Sequence, residues 1–166
     1  MDSELHLRRK WTFRAHGQQM IFYKKKNESA EHVFMKAMLW ALVLPNYFRV
    51  QVEAGTGDRF KPDVIGRDES DAILFWGEAG HTDPRKMKWV ARRYPRARLV
   101  FARWNDSMRQ YVPLVARAVR GLKRRSSVEV WNFPADSADR FFQGTDIVLR
   151  ADDIEIAVVS APDASV

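Results

Sequence analysis

The sequence predicts a single α/β domain, a mixed β-sheet with helices on its faces. Three observations predict this class. The 166 residues match the size of one hydrophobic core. The apolar pattern changes repeatedly between the period of a strand and that of a helix. Six Trp, ten Phe and four Tyr supply the bulk of a sizeable core, while 30% charged residues are typical of a soluble globular protein.

The first third of the chain predicts a hairpin, a helix and a second hairpin. Residues 10–26 form two strands around a turn at His16-Gly17. The helix begins after the N-cap Ser29 and ends at Pro45, and its apolar composition predicts that it packs deep against a sheet. Residues 47–66 suggest two strands joined by the turn AGTGDRFKP.

The rest of the chain alternates strands and helices. AILFWGEA is a strand, and Asp83 as N-cap with Pro84 in the first turn predicts a helix that ends at Pro95. ARLVFARW is a strand covered on both faces, and in the next helix Pro113 predicts a break or a kink. The remaining elements are the helix itself at 106–120, a strand at 128–133, a short helix at 135–142, a closing pair of strands at 145–150 and 153–160, and a disordered tail at 161–166.

The charge pattern favours a polyanionic partner, nucleic acid above all. Lys and Arg number 28 against 21 Asp and Glu, a net charge of +7. Residues 85–98 contain seven cations and no acid. A solvated basic helix face is the alternative explanation. The candidates for contacts with nucleic-acid phosphates are Lys88, Arg92, Arg93 and Arg96.

Several classes of protein and site are excluded. The absence of cysteine rules out disulfides, thiolate metal sites and Cys nucleophiles, and it fits a reducing cytosol. The longest apolar run, Met38 to Leu44, is too short to span a membrane, and the N-terminal segment has no signal-peptide core. The four histidines lack zinc-site spacing. We therefore expect a soluble, cytoplasmic protein with no membrane partner.

Two acids occupy unusual positions in the segment KPDVIGRDESDAILFWGEAG, residues 61–80. Alternation places Glu78 on the same strand face as Leu74, Trp76 and Gly80. A carboxylate in such surroundings must be paired, hydrogen-bonded or metal-bound. If the strand that starts at Asp63 pairs with this one, both carboxylates reach one edge of the sheet, where they repel unless a cation lies between them.

Mg²⁺ or Mn²⁺ is the cation that such a carboxylate pair predicts. Either ion can polarise a phosphodiester and lower the pKa of a bound water. Basic surroundings suit a phosphate backbone as substrate. For Glu78, a salt bridge to a nearby arginine is the alternative.

In order along the chain, the segments NESAEHVFMKAMLWAL, KPD and WGEAGHTDPRKM resemble the PD-(D/E)xK nuclease superfamily and, more narrowly, the bacterial YaeQ family. The likeness covers roughly residues 10–105. It implies a restriction-endonuclease-like core. It also implies that Asp63 bridges the metal, that Glu78 is the second metal ligand, and that Glu31 is an accessory acid; Glu31 is equally explained by the helix dipole.

One departure from the superfamily pattern bears on catalysis. The superfamily has a lysine two residues after the strand acid, and here that position is Gly80. Lys86 or Lys88, in the next helix, can replace it, and His81 is a second substitute. Two hypotheses follow: a Mg²⁺-dependent nuclease, or a catalytically inactive nuclease-like fold that binds nucleic acid or protein.

Overall fold

In a computed structural model that describes residues 3–164, the strands form two sheets. The helices are α1 (Ser3–Leu7), α2 (Ala30–Val43), α3 (Pro84–Arg93), α4 (Met108–Ala118) and α5 (Ser137–Phe141). The strands are β1 (Lys10–Ala15), β2 (Gln18–Tyr23), β3 (Arg49–Val52), β4 (Val64–Arg67), β5 (Ile73–Ala79), β6 (Arg98–Trp104), β7 (Val128–Phe133), β8 (Phe142–Gln143), β9 (Asp146–Ile147) and β10 (Glu155–Ser160).

The large sheet has six strands in the order β10-β7-β6-β5-β4-β3. Its three central strands, β5, β6 and β7, run parallel, and the strands outside them pair antiparallel. The small sheet has the order β2-β1-β9-β8, with β1 and β9 parallel. Both sheets are therefore mixed.

Helix α2 lies between the two sheets. It contacts β3, β4, β5 and β6 of the large sheet and β1, β2 and β9 of the small one. Because both sides are covered, its apolar residues are buried around the whole helix, for example Val33, Phe34, Ala37, Met38 and Leu39, each 0% exposed. The prediction of a deeply packed apolar helix is confirmed.

Helices α3 and α4 cover the other face of the large sheet. Strand β5 alternates between the two layers: Phe75 and Ala79 belong to the cluster around α2, whereas Trp76 belongs to the cluster under α3 and α4. That second cluster combines Trp76, Met87, Val90, Ala91, Leu99, Phe101, Tyr111, Val115, Val119, Val128 and Val130.

Local sequence signals correctly predicted the N-terminal hairpin and the first residues of α2 and α3. The mixed α/β class and the N-terminal hairpin are confirmed: β1 and β2 pair antiparallel around His16 and Gly17, whose φ values are 50° and 73°. The Ser29 hydroxyl accepts the His32 N–H at the start of α2. At the start of α3, the Asp83 carboxylate accepts the Arg85 N–H.

The predicted closing pair of strands is wrong. Residues 145–150 contribute only β9 (Asp146–Ile147), which pairs with β1 and β8 in the small sheet. Strand β10 instead pairs antiparallel with β7 at the edge of the large sheet. The side chain of Ile147 packs into the cluster around α2, so this segment completes the small sheet.

Helix α4 continues through Pro113, so the predicted break does not occur. Proline has no N–H, so the carbonyl oxygen of Arg109, four residues earlier, lacks its helical hydrogen bond. Arg109 is exposed in the first turn of α4, where water can satisfy that oxygen.

Of the predicted disordered tail, residues 161–164 form no helix or strand, and the Asp163 N–H donates to the Arg124 carbonyl oxygen at 2.7 Å. Residues 165 and 166 lie outside the described residues. Between residues 3 and 164, no helix has the length and apolar character needed to cross a bilayer.

Gly66 allows the close approach of Tyr47 to β4 and β5. A methyl group there would lie 2.8 Å from Tyr47 Cγ and 2.9 Å from Phe75 Cβ, both in the packed core around α2. We therefore expect Gly66→Ala to destabilise the protein by about 1–3 kcal/mol through overpacking. Gly55→Ala, where no atom lies within 4 Å, is the control. Urea unfolding that gives both variants the same stability would contradict this packing.

Candidate functional site

Asp63 and Glu78 meet where β4 begins and β5 ends. Val64 pairs with Gly77, and the Asp63 N–H donates to the Gly77 carbonyl oxygen at 3.0 Å, so Asp63 lies opposite Glu78 across the antiparallel ladder. The Asp63 carboxylate is held in place because its Oδ2 accepts the Ala79 N–H at 2.8 Å. The strand pairing on which the predicted juxtaposition depends is therefore present in the structure, and the two acidic residues are neighbours across the ladder.

Glu78 is a buried carboxylate, 5% exposed, on the α3 side of β5. Its Oε1 accepts the Trp76 indole N–H at 2.8 Å and lies 2.8 Å from Lys86 Nζ. Burial and then the negative charge of Asp63 raise the pKa of Glu78 to about 7, although Lys86 and the Trp76 hydrogen bond oppose the shift. This carboxyl group therefore changes charge near neutral pH.

Lys86 is the cation that reaches this carboxylate. It lies in the first turn of α3 and directs its ammonium group to Glu78, and it also donates to the Lys61 carbonyl oxygen at 3.4 Å. Lys88, two residues later, is exposed. Of the two lysines considered as replacements for the superfamily lysine, the structure brings only Lys86 into contact with an acid of the site.

On the other face of the sheet, His32 of α2 reaches Asp63. His32 Nε2 lies 3.6 Å from Asp63 Oδ2, and Nδ1 lies 2.5 Å from Glu28 Oε2. Burial alone lowers the pKa of His32, but the carboxylates of Asp63 and Glu28 outweigh it and hold that pKa above its ordinary value. The imidazole therefore carries positive charge beside Asp63 over a wider pH range than a free histidine.

Lys36 extends this network into the protein interior. It is 1% exposed, and its Nζ lies 2.5 Å from Glu28 Oε2 and 3.1 Å from Glu53 Oε1. Lys25 pairs with Glu53 at 2.9 Å. Despite burial, which acts in the opposite direction, the Lys25 backbone N–H and Lys36 hold the pKa of Glu28 below the usual range, and the Lys25 and Lys36 ammonium groups do the same for the pKa of Glu53. The chain of paired charges fixes His32 beside Asp63.

Gly80 explains why this site has no lysine from the strand. Its φ is +80°, and a Cβ there would lie 3.4 Å from His32 Cδ2, towards α2. The sequence prediction that residue 80 shares the face of Glu78 is therefore wrong, because the left-handed backbone ends the alternation of β5. The α2 side of this site is occupied by His32 and the α3 side by Lys86.

A groove of about 770 Å³ opens on the α2 side of the site. Asp63 and His32 lie in its wall together with Gly80. Three lysines, Lys25, Lys26 and Lys61, line it together with the acids Glu28 and Glu53. The groove therefore presents charges of both signs next to Asp63.

The other predicted residues lie around these groups. Glu31 Oε1 lies 3.8 Å from His6 Nε2, so Glu31 faces α1 and does not join the acid pair. His81 is exposed and lines the groove. On α3, Lys88 and Arg92 are exposed, as are Arg93, whose Nε lies 3.3 Å from Asp58, and Arg96 just beyond the helix.

Sequence reasoning missed Glu28, His32, Lys36 and Glu53. Three of them, Glu28, His32 and Lys36, recur at intervals of four residues and so form one polar stripe along an otherwise apolar helix. That stripe was the available signal. Glu53 gave none, because its contact with Lys36 depends on how the β3–β4 hairpin packs against α2.

The donor set for a divalent ion is small. Among residues 3–164, no group of three or more His, Cys, Asp and Glu side chains could hold a metal ion. Mg²⁺ is nonetheless often bound by one or two carboxylates, with water and substrate phosphate as its other ligands. Asp63 and Glu78 supply two carboxylates from neighbouring strands at this edge of the sheet.

Two solved structures are similar to this chain over most of its length. The YaeQ protein from Pseudomonas syringae superimposes with a TM-score of 0.60 at 18% identity, covering 85% of this chain and 80% of that one. The YaeQ protein from Xanthomonas axonopodis pv. citri gives 0.53 at 14% identity, with coverage of 86% and 81%. No protein-family model and no curated protein matches the sequence. The fold is thus YaeQ-like.

The raised pKa of Glu78 predicts a stability that depends on pH. The folded chain holds this proton up to about pH 7, whereas the ordinary value is 4.5, so stability falls as the pH rises through that interval. Glu78→Gln removes this dependence. We therefore expect the difference in the free energy of unfolding, variant minus natural protein, to increase by about 3 kcal/mol as the pH rises through this interval.

The measurement is urea unfolding with EDTA at a series of pH values. Glu69→Gln, an exposed acid in the turn before β5, is the control and should follow the natural profile. A Glu78→Gln profile parallel to that of the natural protein would contradict the assignment.

Proposed function

We propose that the protein is a divalent-metal-dependent phosphodiesterase acting on nucleic acid, of the PD-(D/E)xK class. One observation carries the proposal: an aspartate, a buried glutamate and a lysine come together from three separate elements. Lys86 Nζ lies 2.8 Å from Glu78 Oε1, and Asp63 lies opposite Glu78 on the neighbouring strand. The lysine that the superfamily places on the strand comes here from α3.

Asp63 and Glu78 are the residues that would hold Mg²⁺ or Mn²⁺. A bound ion would supply a Lewis acid for a phosphate oxygen and lower the pKa of a water molecule. The mutual repulsion of the two carboxylates, which contributes to the raised pKa of Glu78, favours a cation near both. The reaction would add water across a P–O ester bond and release a phosphomonoester and a hydroxyl group.

The chain's own groups would orient the substrate. Lys86 would stabilise negative charge on the scissile phosphate, because preorganised cations in a partly buried site act most strongly on charge that develops during reaction. His32 and the Ala79 N–H hold the Asp63 carboxylate in place, at 3.6 Å and 2.8 Å. Lys61 and His81, which line the groove, would bind neighbouring phosphates.

A catalytically inactive binding module is the second candidate. Two observations favour it: Lys86 already neutralises Glu78, and Glu31 adds no third carboxylate to the site. In that case the site charges would stabilise the fold, and the basic surface of α3 would still attract nucleic acid.

The two candidates differ in their response to metal. For the enzyme, Mn²⁺ raises the melting temperature by mass action and supports cleavage of plasmid DNA or single-stranded RNA. Asp63→Asn should abolish both effects. Lys86→Met should keep the metal-dependent rise, because the carboxylates remain, and should slow cleavage by about 100-fold or more.

Two controls remove similar charges elsewhere: Asp152→Asn, an exposed acid, and Lys10→Met, an exposed cation on β1. Circular dichroism confirms that each variant is folded. A natural protein that neither gains stability with Mg²⁺ or Mn²⁺ nor cuts DNA or RNA would identify the binding module.

The basic face of α3 gives a separate prediction. If Lys88, Arg92 and Arg96 contact backbone phosphates, replacing all three by Gln should flatten the plot of log affinity against log salt concentration by about two to three units. Fluorescence anisotropy with labelled duplex DNA measures this slope. The exposed Arg8, Arg9 and Lys10, replaced together by Gln, form the matched control. An unchanged slope in the α3 variant would assign these cations to solubility.

A further inference from the structure

A second, smaller pocket lies beside Lys86, away from the groove that contains Asp63. It has a volume of about 340 Å³, which is within the range of small-ligand sites. Its walls come from the loop before β4 and from the first two turns of α3. The lining residues are Arg59, Phe60, Asp83, Arg85, Lys86 and Trp89.

Two aromatic rings form the apolar part of this pocket. Phe60 and Trp89 pack edge to face, with ring centroids 5.2 Å apart and planes at 77°. Both side chains are only partly buried, although rings of this size are among the residues that gain most from burial. Part of each aromatic side chain is therefore accessible from the pocket.

Cations surround the same rings. The Arg59 guanidinium lies 5.0 Å from the Phe60 centroid, and Lys86 Nζ lies 5.5 Å from it. The Arg85 side chain is 93% exposed. The acid in the pocket, Asp83, is paired with Arg85 at 3.1 Å and caps α3, so the charges of these two residues offset each other and Arg59 and Lys86 remain as the cations beside the rings. The pocket therefore offers stacking surface and positive charge together.

Lys86 connects this pocket to the candidate active site. The same ammonium group contacts Glu78 Oε1 at 2.8 Å and the Lys61 carbonyl oxygen at 3.4 Å, and Lys61 lines the larger groove. The consecutive residues Arg59, Phe60 and Lys61 thus run from one cavity to the other. A polymer bound along this segment would meet Arg59 at one end and Lys61 at the other, with Phe60 between them.

We infer that the pocket formed by Phe60, Trp89 and Arg59 binds one unpaired base of a single-stranded nucleic acid, with the adjoining phosphate at Lys86. A stacked aromatic side chain binds any base through its π face, and nearby cations bind the backbone. In a duplex the base faces are already stacked on their neighbours, so this chemistry selects single strands. The inference rests on the proposed function and specifies its substrate class.

The test is a binding measurement that does not require catalysis. Fluorescence anisotropy in EDTA follows a labelled oligothymidylate of about 12 nucleotides. Trp89→Leu and Phe60→Leu, which keep apolar bulk but remove the π face, should each weaken binding about ten-fold or more. Trp89→Phe should restore most of the affinity. Phe48→Leu is the control, because Phe48 lies just before β3, outside this pocket, and is 71% exposed.

Three further ligands separate base recognition from charge. An abasic oligomer of the same length retains the phosphates, a blunt duplex retains stacked bases, and thymidine monophosphate supplies a free nucleotide. We expect all three to bind the natural protein more weakly than the oligothymidylate. Equal affinity for any of them would overturn the inference, as would a Trp89→Leu variant that binds the oligothymidylate as tightly as the natural protein does.

Failure of this inference can be distinguished from failure of the proposed function. Loss of affinity in Trp89→Leu and Phe60→Leu without any metal-dependent cleavage would support the base pocket and reject the nuclease. If the natural protein cleaves nucleic acid but its affinity for single strands does not depend on these two rings, the nuclease is supported and the base pocket is rejected.

Discussion

The structure depends on how one buried carboxylate is neutralised. Glu78 ends a strand whose other residues are apolar, and in that position a negative charge without a partner would destabilise the fold strongly. Lys86 supplies the partner from α3, and the Trp76 indole N–H supplies a second donor. The same contact also places a lysine against a carboxylate whose neighbour across the ladder is Asp63. The Lys86–Glu78 contact is therefore part of both explanations of these residues, as a stabilising ion pair and as part of the proposed catalytic site.

The second constraint is the position of α2 between two sheets. A helix covered on both sides can carry charge only where that charge is paired, which explains why Lys36 contacts both Glu28 and Glu53. Through His32 this paired stripe reaches Asp63. The two acids of the site are thus supported from opposite layers of the protein, Asp63 from α2 and Glu78 from α3. A groove on one side and an aromatic pocket on the other lie next to the same strand ends.

The sequence predicted what short-range physics controls. The caps Ser29 and Asp83 and the face of Glu78 follow from local hydrogen bonding and from period-two alternation, and all are present in the structure. The placement of β9 and β10 in different sheets depends on contacts between residues far apart in the chain, which local patterns do not predict. The contact between His32 and Asp63 is of the same kind. Gly80 was misassigned to a face because a positive φ ends the alternation that the prediction assumed.

A crystal soaked in Mn²⁺ tests the central claim most directly, because anomalous scattering locates the ion without reference to activity. We expect a peak shared by the Asp63 and Glu78 carboxylates, with Lys86 Nζ moved away from Glu78. An empty map at this position, with the ion pair between Lys86 and Glu78 intact at saturating metal, would contradict the metal site and leave a YaeQ-like fold stabilised by its own charges.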